Sequence, residues 1–333
     1  MHAVKAVDQF QRRHGSVGFP LAVGYKFVDD QGGYLAALIT YYGFLSLFPA
    51  LLLLVTAVGY FLAGNPSAQQ KIIDTALAKF PVIGTQLQHN LSSIHGSSTA
   101  IIIGVLGLLY GALGIGQATQ LAFNRAWAVP RNERPNALLS RVRSFGFVLL
   151  IGLGLVATTI LTGIGAATGT LNSHHNDLVR LGLIAASILA NVVLFIAVFR
   201  LLTARVVTVR ELLPGAMFAA LCWQLLQALG TTYVSRVVVH SSDIYGVFGI
   251  VLGLLAWIYL AAVILVLAAE LNVVHACRLW PRSLLAPFAD GLPLTPADER
   301  AYVSYVDMRR YKSFEHIDVT FDRTETPGTR GEE

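Results

Sequence analysis

The sequence predicts an all-α, polytopic membrane protein of six transmembrane helices with both termini in the cytoplasm, and three observations carry that prediction. Of 333 residues, 55% are hydrophobic and only 13% are charged, whereas a soluble domain is about 25% charged. Six apolar runs, roughly 33–63, 99–125, 143–169, 181–203, 212–239 and 244–276, match or exceed the ~20 residues that cross a hydrocarbon layer about 30 Å thick. Placing the N-terminus inside puts 20 lysines and arginines on the cytoplasmic side and leaves only Lys71, Lys79, Arg180 and Arg236 outside, a strong positive-inside asymmetry.

Taken in order, residues 1–32 read as a cytoplasmic amphipathic segment carrying Lys5, Arg12, Arg13 and Lys26. Asp29 and Asp30 follow, with no short apolar core and small-residue cleavage site, so the segment does not read as a signal peptide. The first and last runs would be about 46–50 Å long as helices, so they are expected to tilt, kink or project beyond the hydrocarbon. Pro49 removes a backbone donor and crowds the carbonyl of Leu45, which predicts a bend there, with Ser46 placed to satisfy the freed group. The transmembrane domain spans 33–280.

The outer loop 64–98 repeats Ile73, Leu77, Phe80, Leu87 and Leu91 at helical spacing, broken by Pro81 and Gly84, which predicts two short amphipathic helices on the outer surface. The inner loops hold Arg125, Arg131, Arg134, Arg141 and Arg143, then Arg200, Arg205 and Arg210. From Ser283 onward the tail carries six basic and ten acidic residues with several prolines; 281–333 therefore reads as a partly disordered cytoplasmic tail, not a polybasic anchor.

Polar side chains inside spans are costly and tend to face the bundle or a hydrated cavity. In the second run Gln117, Gln120 and Asn124 share a face, with Arg125 beside them; in the fifth, Gln224 and Gln227 share another. The sixth carries Tyr259, Glu270 and Asn272. Two readings stand for the amides: hydrogen bonds to neighbouring helices, each contributing about 1 kcal/mol or less, or the lining of a polar cavity between the second, fifth and sixth spans, open to the cytoplasm. Glu270 is the single acidic residue well inside a predicted span. It is expected to pair with Arg125 or Arg200, against the alternative of a carboxylate snorkelling at the interface. Gly107 and Gly111, Gly165 and Gly169, and Gly249 and Gly253 form small-xxx-small patterns, compatible with packing within a subunit or in a homo-oligomer.

The two cysteines and nine histidines show no metal-ligand spacing, and no phosphate-binding glycine loop precedes a Lys-Ser or Lys-Thr pair. The reading is a non-enzyme with no cofactor, no metal and no nucleic-acid partner.

Four segments, AALITYYGFLSLFPALLLL, NRAWAVPRNERPN, ELLPGAMFAALCWQLLQALGTTYV and IYGVFGIVLGLLAWIYLAAVILVLAAELN, together resemble the YihY/BrkB family of bacterial inner-membrane proteins, particularly its YhjD-like members, over about residues 25–280. The resemblance points to Tyr42, Ser46 and Pro49, Asn124 and Trp127, Pro214, Gly215, Trp223 and Tyr233, and Tyr245, Gly246, Trp257, Tyr259, Glu270 and Asn272. Ala268 stands where the family usually has glycine before Ala-Glu. Some members carry an old ribonuclease BN label, which a chain without a metal-ligand cluster or a sizeable soluble domain does not support. The resemblance implies export or flipping of a lipid-linked envelope precursor in the inner membrane. With arginine at the inner rim, the substrate class expected is an amphiphilic anion among membrane lipids; the rival reading is a non-transporting scaffold for envelope assembly.

Overall fold

A computed structural model describes residues 2–61, 98–168, 176–233, 239–284 and 294–321. Nine α-helices occur among them: α1 (His2–Arg13), α2 (Gly15–Asp29), α3 (Gly32–Phe61), α4 (Ser98–Ala126), α5 (Ala137–Thr168), α6 (Asn176–Leu202), α7 (Val209–Tyr233), α8 (Val239–Cys277) and α9 (Pro296–Asp307), with a 3-10 turn at Arg131–Glu133. The six apolar runs correspond to α3–α8. Five stretches are long and apolar enough to cross a membrane, Gly104–Ala126, Ala137–Gly154, Ile184–Leu202, Val209–Gly230 and Val251–Cys277; in α3 the corresponding stretch is the shorter Gly32–Leu47. The expected amphipathic helices of the 64–98 loop, and the outer-loop residues Lys79 and His174, lie outside the described residues.

Helix boundaries follow local chemistry. Asn136 caps α5 by accepting from the Leu139 amide at 2.9 Å. Glu211 accepts from the Thr208 amide at 2.7 Å and its hydroxyl at 2.9 Å, satisfying an orphan donor at the start of α7. At their C-termini α4 and α8 close in the same way. Ala128 and Arg278 take left-handed φ values of 48° and 52°, and the following amides bond back five residues, Val129 to Asn124 at 2.8 Å and Leu279 to Val274 at 3.1 Å. This is the reversal that normally favours glycine.

Sequential neighbours pack from α3 through α8, and α8 returns to α3, so the six long helices close a ring; α4 also touches α6 and α8. Its buried face is made of small residues, Ala118, Ala122 and Ala126, around Phe123, which lets neighbours approach closely. The outside of the ring is apolar. Along α7, Leu213, Met217, Leu221, Leu225 and Leu229 recur every four residues at 41% to 59% exposure. A continuous exposed stripe of this kind suits lipid rather than water.

Glycine contacts explain the tightness of the α3–α4 seam. A Cβ on Gly111 would lie 2.7 Å from the Cα of Ser46, and one on Gly107 would lie 2.8 Å from the Pro49 ring. The Gly107/Gly111 pattern thus packs within the chain. Gly111→Ala is expected to cost about 1–3 kcal/mol through overpacking against backbone. Gly152→Ala, where a Cβ meets nothing within 4 Å, should be neutral or slightly stabilising. Thermal unfolding in detergent compares the two, and equal midpoints would remove the distinction.

Pro49 lies inside α3. The Ser46 hydroxyl bonds the Gly43 carbonyl at 3.0 Å rather than the Leu45 carbonyl that proline frees, so its expected role at the bend is replaced by a local back-bond.

Candidate functional site

The site is built where α2 meets the C-terminal end of α8. Helix α2 packs along α8, and the Lys26 amine is thereby carried into the interior. Lys26 and Asp30 are each 1% exposed and Glu270 is 0% exposed. The Lys26 amine donates to the Asp30 carboxylate one turn on and to the carbonyl of Ala126, the last residue of α4, at 2.9 Å. It lies 3.4 Å from Glu270 Oε2. One cluster therefore joins α2, α4 and α8.

Charge counting gives the cluster its chemistry. Two carboxylates face one amine in a volume shut off from water, and beyond Lys26 the positive charge felt by Asp30 is that of Arg125, so full ionisation leaves Glu270 poorly compensated, and desolvating such a charge is costly. Neither Glu270 oxygen has a hydrogen bond of good geometry; the Lys26 contact is an ion pair only. A proton held between the carboxyls relieves the imbalance. Consistently, burial pushes the Asp30 carboxyl above its usual range, with Lys26 only partly opposing. Burial also disfavours the Lys26 ammonium, but the charges of Glu270 and Asp30 prevail and raise its pKa.

The Asp30 shift has a definite sign in a stability profile. With the native pKa above the unfolded value, the unfolded chain releases this proton first, so Asp30's contribution falls as pH rises from its ordinary value of 3.8 toward the raised one. Lys26 acts in a separate window, its contribution present below 10.5 and lost above it. Asp30→Asn is expected to flatten the pH dependence of the unfolding midpoint as pH rises above 3.8; an unchanged slope would assign it to other groups.

A second buried hub lies beside the first. Arg282, 3% exposed, pairs through Nη1 with Asp29 at 2.7 Å and through Nε with Asp298 at 3.1 Å. Asp298 also closes the N-terminal capping box of α9 with Thr295 and accepts from the Ser283 amide at 3.0 Å. Asp8 of α1 accepts from the Leu284 amide at 2.8 Å, and Gln11 donates to the Arg282 carbonyl. From α9, the Tyr305 ring stands 5.3 Å from the Lys26 amine and its hydroxyl donates to Asp29 at 3.4 Å. The tail thus contributes a helix, α9, that covers the buried cluster; residues 285–293 and 322–333, on which the expectation of disorder also bears, lie outside the described residues.

The expected site residues separate. Glu270 pairs with Lys26, not with Arg125 or Arg200: Arg200 is exposed, while Arg125 lies within electrostatic reach of Asp30. Gln120 donates to the Ser140 carbonyl and the Ser144 hydroxyl on α5, both at 2.9 Å. Asn124 accepts from the Ala204 amide at 2.8 Å, fixing the loop after α6. Gln117 is exposed. Gln224 donates to Ser187 on α6 at 2.9 Å, while Gln227 has a buried carbonyl oxygen without a partner. Tyr259 directs its hydroxyl toward Gly33 on α3. Three of the amides, Gln120, Asn124 and Gln224, bond neighbouring elements.

Asn272 is the exception that belongs beside Glu270. Its Oδ1 accepts from the Gly215 amide at 2.7 Å, binding α7 to α8. A Cβ on Gly215 would lie 2.2 Å from the Ala268 carbonyl, so only glycine admits this approach. Lys26, Asp30, Asp29 and Arg282 escaped the sequence reading. The one local signal is the Lys26–Asp30 spacing of four, which places opposite charges on one helix face.

A closed ring of long apolar helices enclosing an ionised cluster at one end defines a multi-helix membrane protein. The chain belongs to the BrkB family: the model described as "Virulence factor BrkB" matches residues 23–287. It is 27% identical to "Inner membrane protein YhjD" of Escherichia coli (strain K12) over 255 residues, 71% of this chain and 74% of that protein. It is 24% identical to "Putative ribonuclease-like protein YfkH" of Bacillus subtilis (strain 168) over 258 residues, 74% and 91% of the two chains. A UPF0761 membrane protein of Pseudomonas paraeruginosa is 31% identical over 297 residues, 82% of this chain and 67% of that one. No solved structure matches.

Proposed function

We propose that this protein is an inner-membrane transporter or flippase for an amphiphilic, anionic, lipid-linked envelope substrate. It has six spans and both termini in the cytoplasm, and proton binding at Lys26, Asp30 and Glu270 is coupled to movement. The observation that carries the reading is the buried cluster itself, two carboxylates against one amine at the end of an apolar helix. Ionisable groups embedded in membrane helices are expensive and mark ion or proton pathways. Protonating Glu270 releases Lys26 from part of its attraction to α8, which gives a proton a mechanical consequence at the α2–α8 contact. The ribonuclease-like name of the Bacillus relative is not carried over, and the reading includes no catalytic step.

The scaffold reading has its own support, because Gln120, Asn124 and Gln224 are satisfied by neighbouring elements, as a permanently closed bundle requires. Reconstituted vesicles separate the two. Movement of a fluorescent phospholipid analogue should accelerate under a proton gradient, and Glu270→Gln should abolish the acceleration. Gradient-independent rates equal to those of empty vesicles would favour the scaffold. For orientation, single cysteines placed in a background lacking Cys222 and Cys277 should be labelled from outside at positions 79 and 174 and from inside at 1 and 333. An outward N-terminus would overturn the assignment.

A further inference from the structure

The turn that leaves α4 gathers three arginines that form no ion pair among the described residues. Arg125 occupies the last turn of α4, Arg131 opens the 3-10 turn, and Arg134 follows it. Between them the chain reverses at Ala128, so residues distant along an extended strand are folded over the helix end. Arg134 Nε donates back to the Val129 carbonyl at 3.2 Å, which fixes the guanidinium across the turn and leaves its two terminal nitrogens for another acceptor. Arg131 is held with its guanidinium 5.0 Å from the Tyr311 ring. The Arg125 Nε is buried without a hydrogen-bond partner.

The nearby carboxylates are already engaged. Glu133, in the same turn, pairs with Arg310 at 2.7 Å; Asp30 bonds Lys26 and is reached by Arg125 through its charge alone, which leaves the Arg125 hydrogen-bond donors free for an anion. Among the described residues Arg125, Arg131 and Arg134 form no ion pair. Their crowding is felt: burial and the charges of Arg131 and Arg125 depress the Arg134 pKa. Three cations held together at a helix end, one with a buried unsatisfied donor, form an arrangement that an oxyanion stabilises.

We infer that Arg125, Arg131 and Arg134 form a binding site for a phosphate group, the headgroup of an anionic lipid or a free phosphate. Phosphate fits because its several oxygens accept from forked guanidinium donors at once. Its position at the end of the Gly104–Ala126 span sets it at headgroup depth. Only its assignment to the cytoplasmic leaflet rests on the orientation proposed above; binding does not require transport, so the two readings fail separately.

The test uses the full chain in neutral detergent, titrated in turn with inorganic phosphate, short-chain phosphatidic acid and short-chain phosphatidylcholine, with binding read by calorimetry. Phosphatidic acid is expected to bind, and Arg125→Gln with Arg134→Gln to weaken it at least tenfold. Arg134→Lys should give a smaller loss, since charge survives without the fork, and it guards against a fold defect in the double variant. Arg309→Gln, an exposed tail arginine, should leave affinity unchanged. Binding of inorganic phosphate as tight as that of the lipid assigns the site to free phosphate; binding of phosphatidic acid alone assigns it to a headgroup. Equal binding of phosphatidylcholine, or equal loss in Arg309→Gln, overturns the site.

Discussion

Replacing Lys26 with methionine is expected to destabilise the protein by about 3–5 kcal/mol, the range for removing one partner of a buried ion pair. Methionine fills a similar volume, so packing changes little and the loss reports the two carboxylates left facing each other with 0–1% exposure. Adding Glu270→Gln to Lys26→Met should restore more than half of it, because an uncharged amide replaces one stranded charge. That non-additivity is the signature of direct coupling. Thermal unfolding of purified protein in detergent measures all three variants; if the single substitution costs less than about 1 kcal/mol, or the double is simply additive, the cluster is not an energetic unit.

The second large effect is expected at Arg282. Arg282→Leu removes the charge that Asp29 and Asp298 share; Asp29 is partly open to solvent while Asp298 is buried, so the cost, about 3–5 kcal/mol for a stranded buried charge, falls on Asp298. The more specific outcome is local. Asp298 keeps its capping box with Thr295, so α9 persists as a helix but loses its main tie to α2. Limited proteolysis should then cut between 284 and 294 faster in Arg282→Leu, with the transmembrane helices still protected. Arg282→Lys should give an intermediate rate, since one ammonium cannot make the Nε and Nη1 contacts together. Unchanged cleavage in both would mean that α9 is held by other contacts.

The long-period pattern of this sequence reports its lipid-facing architecture well, because a span needs only a run of apolar residues and the hydrocarbon fixes its length. The run 212–239 is found as α7 Val209–Tyr233, and 99–125 as α4 Ser98–Ala126. Glu270 was legible for the same reason, as an acid among apolar residues. Its partner was not. Lys26 lies 244 positions away in a segment read as cytoplasmic and amphipathic, and its charge was assigned to topology. Only the packing of α2 onto α8 turns it into a counter-ion.

The amides show a different gap. Of the three on α4, Gln117 is exposed while Gln120 and Asn124 are buried; Gln120 meets Ser140 and Ser144 of α5, and a serine carries too little hydropathy contrast to announce itself as a partner. In the tail, Thr295-Pro-Ala-Asp298 was a readable capping box before a short helix; the acidic composition around it pointed instead to disorder.

Arg282 and Glu270 also set an order for biogenesis. The chain emerges N-terminus first, so Lys26 and Asp30 are synthesised long before Glu270, and until α8 arrives they have only their own one-turn pair and the Ala126 carbonyl of α4. Asp8 and Asp29 likewise wait for Leu284 and Arg282. The contacts of the first two helices with α8, Arg282 and Leu284 therefore form last, so a ribosome stalled before residue 270 is expected to display α2 more open to protease than it is in the finished protein.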